Sequence, residues 1–154
     1  MPEEAQNNEL EKYKKLAEEY LNGWKRAKAD LINYQKEEVR RFEEVVKFAN
    51  ESVVRDFIVV LDSFDLAIAT LVKQGAVEKG IYMIRTQLED VLKKNGLERM
   101  VVAVGQKFDP ALHEAVEEVA SQQAAGTVVE EAGRGYMLYG RVVRAARVKI
   151  SKSH

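Results

Sequence analysis

The chain has no cysteine and only two prolines among 154 residues. Without cysteine it can form no disulfide framework, thiolate metal site or cysteine nucleophile, and its composition suits a reducing compartment. Histidine is nearly as scarce: His113 and His154 lie far apart, so no His-x-x-x-His pair at metal-ligand spacing exists. No excess of either charge is present, with Lys plus Arg at 24 against Asp plus Glu at 25, which removes the electrostatic case for binding nucleic acid or an anionic membrane. No uncharged apolar run approaches the roughly 20 residues that a membrane span requires. Residues 1–8 lack the basic and apolar regions of a signal peptide and are expected to be disordered. The chain therefore reads as a soluble, cytoplasmic protein whose partner is another protein.

Catalytic signatures are equally absent. There is no P-loop and no glycine-rich dinucleotide fingerprint after a strand. Gly133-Arg134-Gly135 reads as a hairpin turn rather than a phosphate cradle, because no helix opens after it. Asp62 and Asp65, three residues apart on a helix, read as an exposed acidic pair rather than a catalytic dyad. The expectation is a binding protein, not an enzyme, with no cofactor and no metal.

What the chain does contain is helix. From Glu9 to Val72 there is no proline and one glycine, Gly23, while Glu, Lys, Ala, Leu and Arg dominate. At 1.5 Å per residue one helix over this stretch would span about 95 Å. Leu10, Tyr13, Ala17, Tyr20, Trp24, Ala27, Leu31 and Tyr34 recur at alternating steps of three and four, which is a heptad seam. Glu38 and Arg41 interrupt it before Phe42 and Val45 resume, a shift expected to unwind a supercoil locally. An apolar stripe commonly packs on its own domain, but too little chain remains to cover a helix this long, so a second copy is the simplest partner. We expect residues 9–52 to form a coiled coil.

Over residues 53–72 the stripe widens to include Val53, Val54, Phe57, Val60, Leu61, Phe64, Ile68 and Leu71. A turn at Lys73-Gln74-Gly75 and a second pattern of Val77, Ile81, Ile84, Leu88, Val91 and Leu92, stopped by Asn95-Gly96, complete a helical hairpin over residues 53–96. Two such hairpins, one from each protomer, would make a four-helix bundle. After Gly96 the period changes, and strands are expected over 97–104, 127–131, 136–138 and 141–150, forming a small antiparallel β-domain over 97–154. The fold class is α+β.

Two elements of this second half, FDPALHEAV from Phe108 and GYMLYGRVVRAARVKI from Gly135, stand in the order and at about the spacing of the β-domain signature of the GrpE family, which the chain closely resembles. Asn33-Tyr34, Lys47-Phe48-Ala49-Asn50 and Leu61-Asp62 are similar to the family's helix motifs. Ile58-Val59-Val60 stands where members often have proline, Leu66-Ala67-Ile68 where they often have Arg-Ala-Leu, and Gln35 and Glu37 flank Lys36 where a basic cluster is common.

The resemblance implies a homodimer that binds the ATPase domain of a DnaK-type chaperone and promotes ADP release, with unfolded protein as a further conceivable contact. It implies chaperone contacts at Lys36, Gly80, Phe108, Asp109, Pro110, His113 and Arg141. Leu10, Tyr13, Tyr20, Trp24, Leu31, Tyr34, Phe57, Val60, Phe64 and Ile68 would form the dimer interface. Gly135, Tyr136, Gly140, Val143, Arg144, Ala146 and Val148 would hold the β-domain, with Gly135 and Gly140 supplying positive φ. His113 and Arg141 could equally position a loop by hydrogen bonding. A glycine at position 80 costs roughly 1 kcal/mol in a helix interior, and the resemblance suggests close approach of a partner there.

Overall fold

The computed structural model describes residues 2–75 and 78–152, so Met1, Val77 and His154 lie outside the described residues. Three helices precede six strands: α1 (Pro2–Phe48), α2 (Glu51–Lys73), α3 (Lys79–Lys94), β1 (Leu97–Arg99), β2 (His113–Val119), β3 (Val128–Gly133), β4 (Tyr136–Leu138), β5 (Arg141–Arg144) and β6 (Ala146–Ser151). The chain divides into two compact units, one up to Val46 and one from Lys47 onward.

The first unit is helix throughout its described length, including residues 2–8, where sequence alone suggested disorder. Its seam is in the open: Leu10, Tyr13, Tyr20, Trp24, Leu31 and Tyr34 are all exposed, Trp24 to 59%. Glu38 and Arg41, the pair that interrupts the seam, bond to each other at 3.0 Å. Such exposed i,i+3 pairs contribute only a few tenths of a kcal/mol each. The uninterrupted helix expected from Glu9 to Val72 instead breaks at residues 49–50, and α2 starts at Glu51.

In the second unit α2 and α3 form the expected hairpin, with Gly75 at φ +74 after α2 and Gly96 at φ +88 after α3. Asn95 ends α3 as its sequence suggested, its side-chain amide donating to the Val91 carbonyl at 2.8 Å. Burial then departs from expectation. Val54, Ile58 and Leu61 of α2 and Leu92 of α3 share one core with Leu97, Tyr136, Leu138 and Val143 of the strands. The hairpin's most buried face is therefore covered by strands of its own chain. Phe57 and Val60 remain exposed and Phe64 and Ile68 half-buried, which leaves a second apolar side on α2.

The strands form two three-stranded sheets, β1-β4-β5 and β2-β6-β3, rather than one antiparallel unit. The first is antiparallel; in the second β2 runs parallel to β6, so the second is mixed. A second core of Met100, Val128, Ala146 and Val148 lies on the β2-β6-β3 sheet, flanked by Phe108 and Leu112. Three expectations change with this topology. The stretch 97–104 is strand only to Arg99, β2 was not anticipated, and the run 141–150 splits at Ala145 between sheets. Gly133-Arg134-Gly135 is not a hairpin turn, because β3 and β4 belong to different sheets. Among the described residues no helix is long and apolar enough to cross a membrane.

Candidate functional site

The FDPALHEAV element folds into a turn whose polar groups satisfy one another. Asp109 opens it: its Oδ1 accepts the Ala111 amide at 2.9 Å, and its carbonyl accepts the Leu112 and His113 amides at 3.1 and 2.8 Å. Pro110 sits at the following position, where its fixed φ suits the turn. His113 is buried to 6% exposure, its Nδ1 accepting the Asp109 amide at 3.1 Å and its Nε2 lying 3.0 Å from Gln106 Nε2. Phe108 is half-buried, 5.9 Å from the His113 ring between centroids. His113 and Phe108 thus shape this turn from inside, whereas Asp109 and Pro110 present its exposed surface.

Arg144 ties this half of the chain to α2. Its guanidinium clasps the Asp62 carboxylate, with Nη2 to Oδ1 at 3.0 Å, and donates to the Arg134 carbonyl from Nε at 2.9 Å and Nη2 at 2.7 Å. The bond to Asp62 holds the Arg144 pKa above its ordinary value, and the same group lies 5.3 Å over the Tyr136 ring. Asp65, one turn along α2, takes Arg85 of α3 at 2.8 Å and Arg134 at 2.6 Å. The acidic pair Asp62 and Asp65 is thus only partly exposed: each carboxylate is paired with guanidinium and braces helix to strands. A cavity of about 520 Å³ opens beside this brace, lined by Asp62, Asp65, Arg99, Glu131, Arg134 and Arg144 among others.

The remaining candidates are placed apart from the turn and the brace. Arg141, 60% exposed, lies 4.7 Å over the Phe48 ring with Nη2 3.5 Å from Glu51 Oε2. Lys36 is exposed on α1. Gly80 is the second residue of α3, and a Cβ built on it would meet nothing within 4 Å, so the cost assigned to a helix-interior glycine does not apply in full in this first turn. Gly140 does adopt positive φ, at +80, but Gly135 does not. Gly135 is needed for space instead, since a Cβ there would lie 2.6 Å from the Ala146 nitrogen and 2.7 Å from Met100 Sδ. Tyr136, Val143, Ala146 and Val148 are all buried.

Sequence reasoning did not single out Arg55, Arg85, Gln106 or Tyr139, and it read Arg134 only as part of a turn. The spacing of Asp62 and Asp65 was the available signal for the brace, since two acids on one turn of an apolar helix need partners once that face is covered. Nothing in the local sequence announces Tyr139, a tyrosine at φ +47.

The family model described as GrpE matches residues 2–152. A "Protein GrpE" of Methanothrix thermoacetophila is 40% identical over 145 residues, which cover 94% of this chain and 77% of that protein. Those of Bacillus subtilis and Bacillus velezensis are 35% and 34% identical, covering 97% of this chain and 81% and 80% of theirs. Because the match spans helices, hairpin and both sheets rather than one motif, the chain belongs to the GrpE family.

Proposed function

We propose that this chain is a nucleotide exchange factor: as a homodimer it binds the ATPase domain of a DnaK-type chaperone and promotes ADP release, supporting protein folding under stress in the cytoplasm. The observation that carries the reading is family membership over residues 2–152, with both signature elements forming ordered structure. The dimer is supported by the exposed seam from Leu10 to Tyr34 and by the second apolar side of α2 at Phe57, Val60, Phe64 and Ile68. Lys36, Gly80, Asp109, Pro110 and Arg141 are the surface residues assigned to the chaperone; Phe108 and His113 hold the turn that presents two of them.

Such a factor needs no catalytic residue. By binding the open, nucleotide-poor conformation of the ATPase domain more tightly than the closed one, it weakens ADP binding by the same factor. A shift from 1:99 to 99:1 takes about 5.5 kcal/mol of differential binding, within the range of a standard-sized protein interface. The test is stopped-flow release of a fluorescent ADP analogue from a DnaK-type protein. Release at least about tenfold faster with this chain is expected, a factor worth about 1.4 kcal/mol. Unchanged release would favour a coiled-coil scaffold.

A further inference from the structure

We propose that the turn joining β4 to β5 is a latch that fixes the chain break at residues 49–50, so that the start of α2 and the β1-β4-β5 sheet move as one body. The break lacks the usual devices. It contains neither proline nor glycine, and Asn50, at φ −97 and ψ 8, makes no side-chain capping bond although asparagine is a preferred N-cap residue. The first backbone bond after it is Val54 N–H to the Asn50 carbonyl at 2.9 Å. Something outside the helix has to hold this start in place.

The Tyr139 side chain of the turn, the Arg141 side chain that opens β5 and one backbone group of β5 converge on it. The Tyr139 ring meets Phe48, the last residue of α1, edge-on at 6.3 Å between centroids and 88° between planes. Arg141 covers the same phenyl ring and reaches Glu51, the first residue of α2. Glu51 also accepts from Arg55 at 2.8 and 3.1 Å, and Arg55 donates to the Val143 carbonyl of β5. These bonds, that from Arg55 foremost, hold the Glu51 carboxyl below its ordinary pKa.

The turn is the two-residue loop of an antiparallel hairpin, and its positive φ at both Tyr139 (+47) and Gly140 (+80) is what such a loop favours. Tyr139 is the one non-glycine residue with positive φ among the described residues, a state that costs an L-residue about 1–2 kcal/mol. Its amide bonds the Gly96 carbonyl at 2.9 Å, and its ring occupies the space a side chain at position 96 would need. The turn and Arg141 are thus tied to Phe48, Glu51 and Gly96, the ends of all three helices.

The latch is independent of whether the chain exchanges nucleotide, and hydrogen exchange on the full chain tests it. Phe48→Leu keeps apolar bulk but removes the ring face and edge, and Tyr139→Gly removes the ring while relieving the backbone. Each should accelerate exchange at the Val54 and Arg55 amides about tenfold while leaving the Val148 amide of the other sheet unchanged. The double variant should be no faster than Phe48→Leu alone, which already loses the ring contacts of both Tyr139 and Arg141, and Phe48→Tyr should keep the protection. Unchanged Val54 and Arg55 amides in both single variants, or effects that multiply in the double variant, would overturn the proposal.

Discussion

Replacing Gly135 by alanine adds one methyl group where the approach to β4 crosses the start of β6. That carbon would lie 2.6 Å from the Ala146 nitrogen, 2.7 Å from Met100 Sδ and 2.8 Å from the Ala146 Cα. The methionine can swing aside, but Ala146 cannot without disturbing its bond to the Leu112 carbonyl at 3.0 Å and its pairing with His113. Overpacking of this kind costs about 1–3 kcal/mol, and two backbone contacts in a paired strand place this site near about 3 kcal/mol. For a unit of this size each kcal/mol lowers Tm by roughly 4–8 °C, so a fall of roughly 12–24 °C is expected. Differential scanning calorimetry measures it, with Gly23→Ala as the control. Gly23 is helical with nothing within 4 Å of its Cβ, and that variant should hold or gain up to about 1 kcal/mol of stability. Melting of Gly135→Ala at the wild-type temperature would refute the close crossing of residues 135 and 146.

Three further outcomes follow from the described contacts. The Tyr136 hydroxyl is buried without a hydrogen-bond partner among the described residues, so Tyr136→Phe should leave stability unchanged or raise it by up to about 1 kcal/mol in urea unfolding near neutral pH. Burial pushes the same phenol up, with Arg134 opposing; its folded pKa exceeds its unfolded one, so wild-type stability should fall as pH rises past the ordinary phenol value, and the Phe variant should lose that part of the slope. Glu51 is the opposite case: its folded pKa is depressed by Arg55 first and then Arg141, so its contribution is present above the unfolded value and lost as pH falls through the folded one. Thermal melts from pH 6 to pH 3 should be flatter for Glu51→Gln, and an identical acid limb would contradict the assignment. Cutting the chain after Asn95 would strip the strand cover from Val54, Ile58, Leu61 and Leu92, each worth about 1.5–3 kcal/mol when buried. Circular dichroism and sedimentation should show lost helix or aggregation, and a well-folded helical dimer would show that the hairpin covers itself.

Periodicity made the helices legible because each turn of a helix repeats the same local demand, so the seam from Leu10 and the stop at Asn95-Gly96 needed no tertiary knowledge. The break at residues 49–50 was invisible for the converse reason: its support comes from Tyr139 and Arg141, far along the chain. Strands were read less well. β2 is exposed on both faces from Glu114 to Glu118 and its register shifts between Ala115 and Glu117, and so it offers no alternation to detect. The run 141–150 looked like one strand because nothing local marks Ala145 as the point where the chain passes between sheets. Of the candidate residues, motif resemblance located the Asp109 turn and Arg144. It could not tell that His113 faces inward, since the partners that bury it are brought there by the fold.

The position of β6 in its sheet has a consequence for the order in which the molecule can be assembled. β6 lies between β2 and β3, yet it is the last of the six strands to leave the ribosome. Until then β2 and β3 have no common neighbour, and Asp62 waits for a guanidinium 82 residues downstream. Helix formation is fast and local, whereas contacts this distant in sequence close slowly. During synthesis the helices can form and meet other helices while the strand half remains open, so the apolar faces of α2 are most exposed to wrong partners in the interval before residues 141–151 emerge.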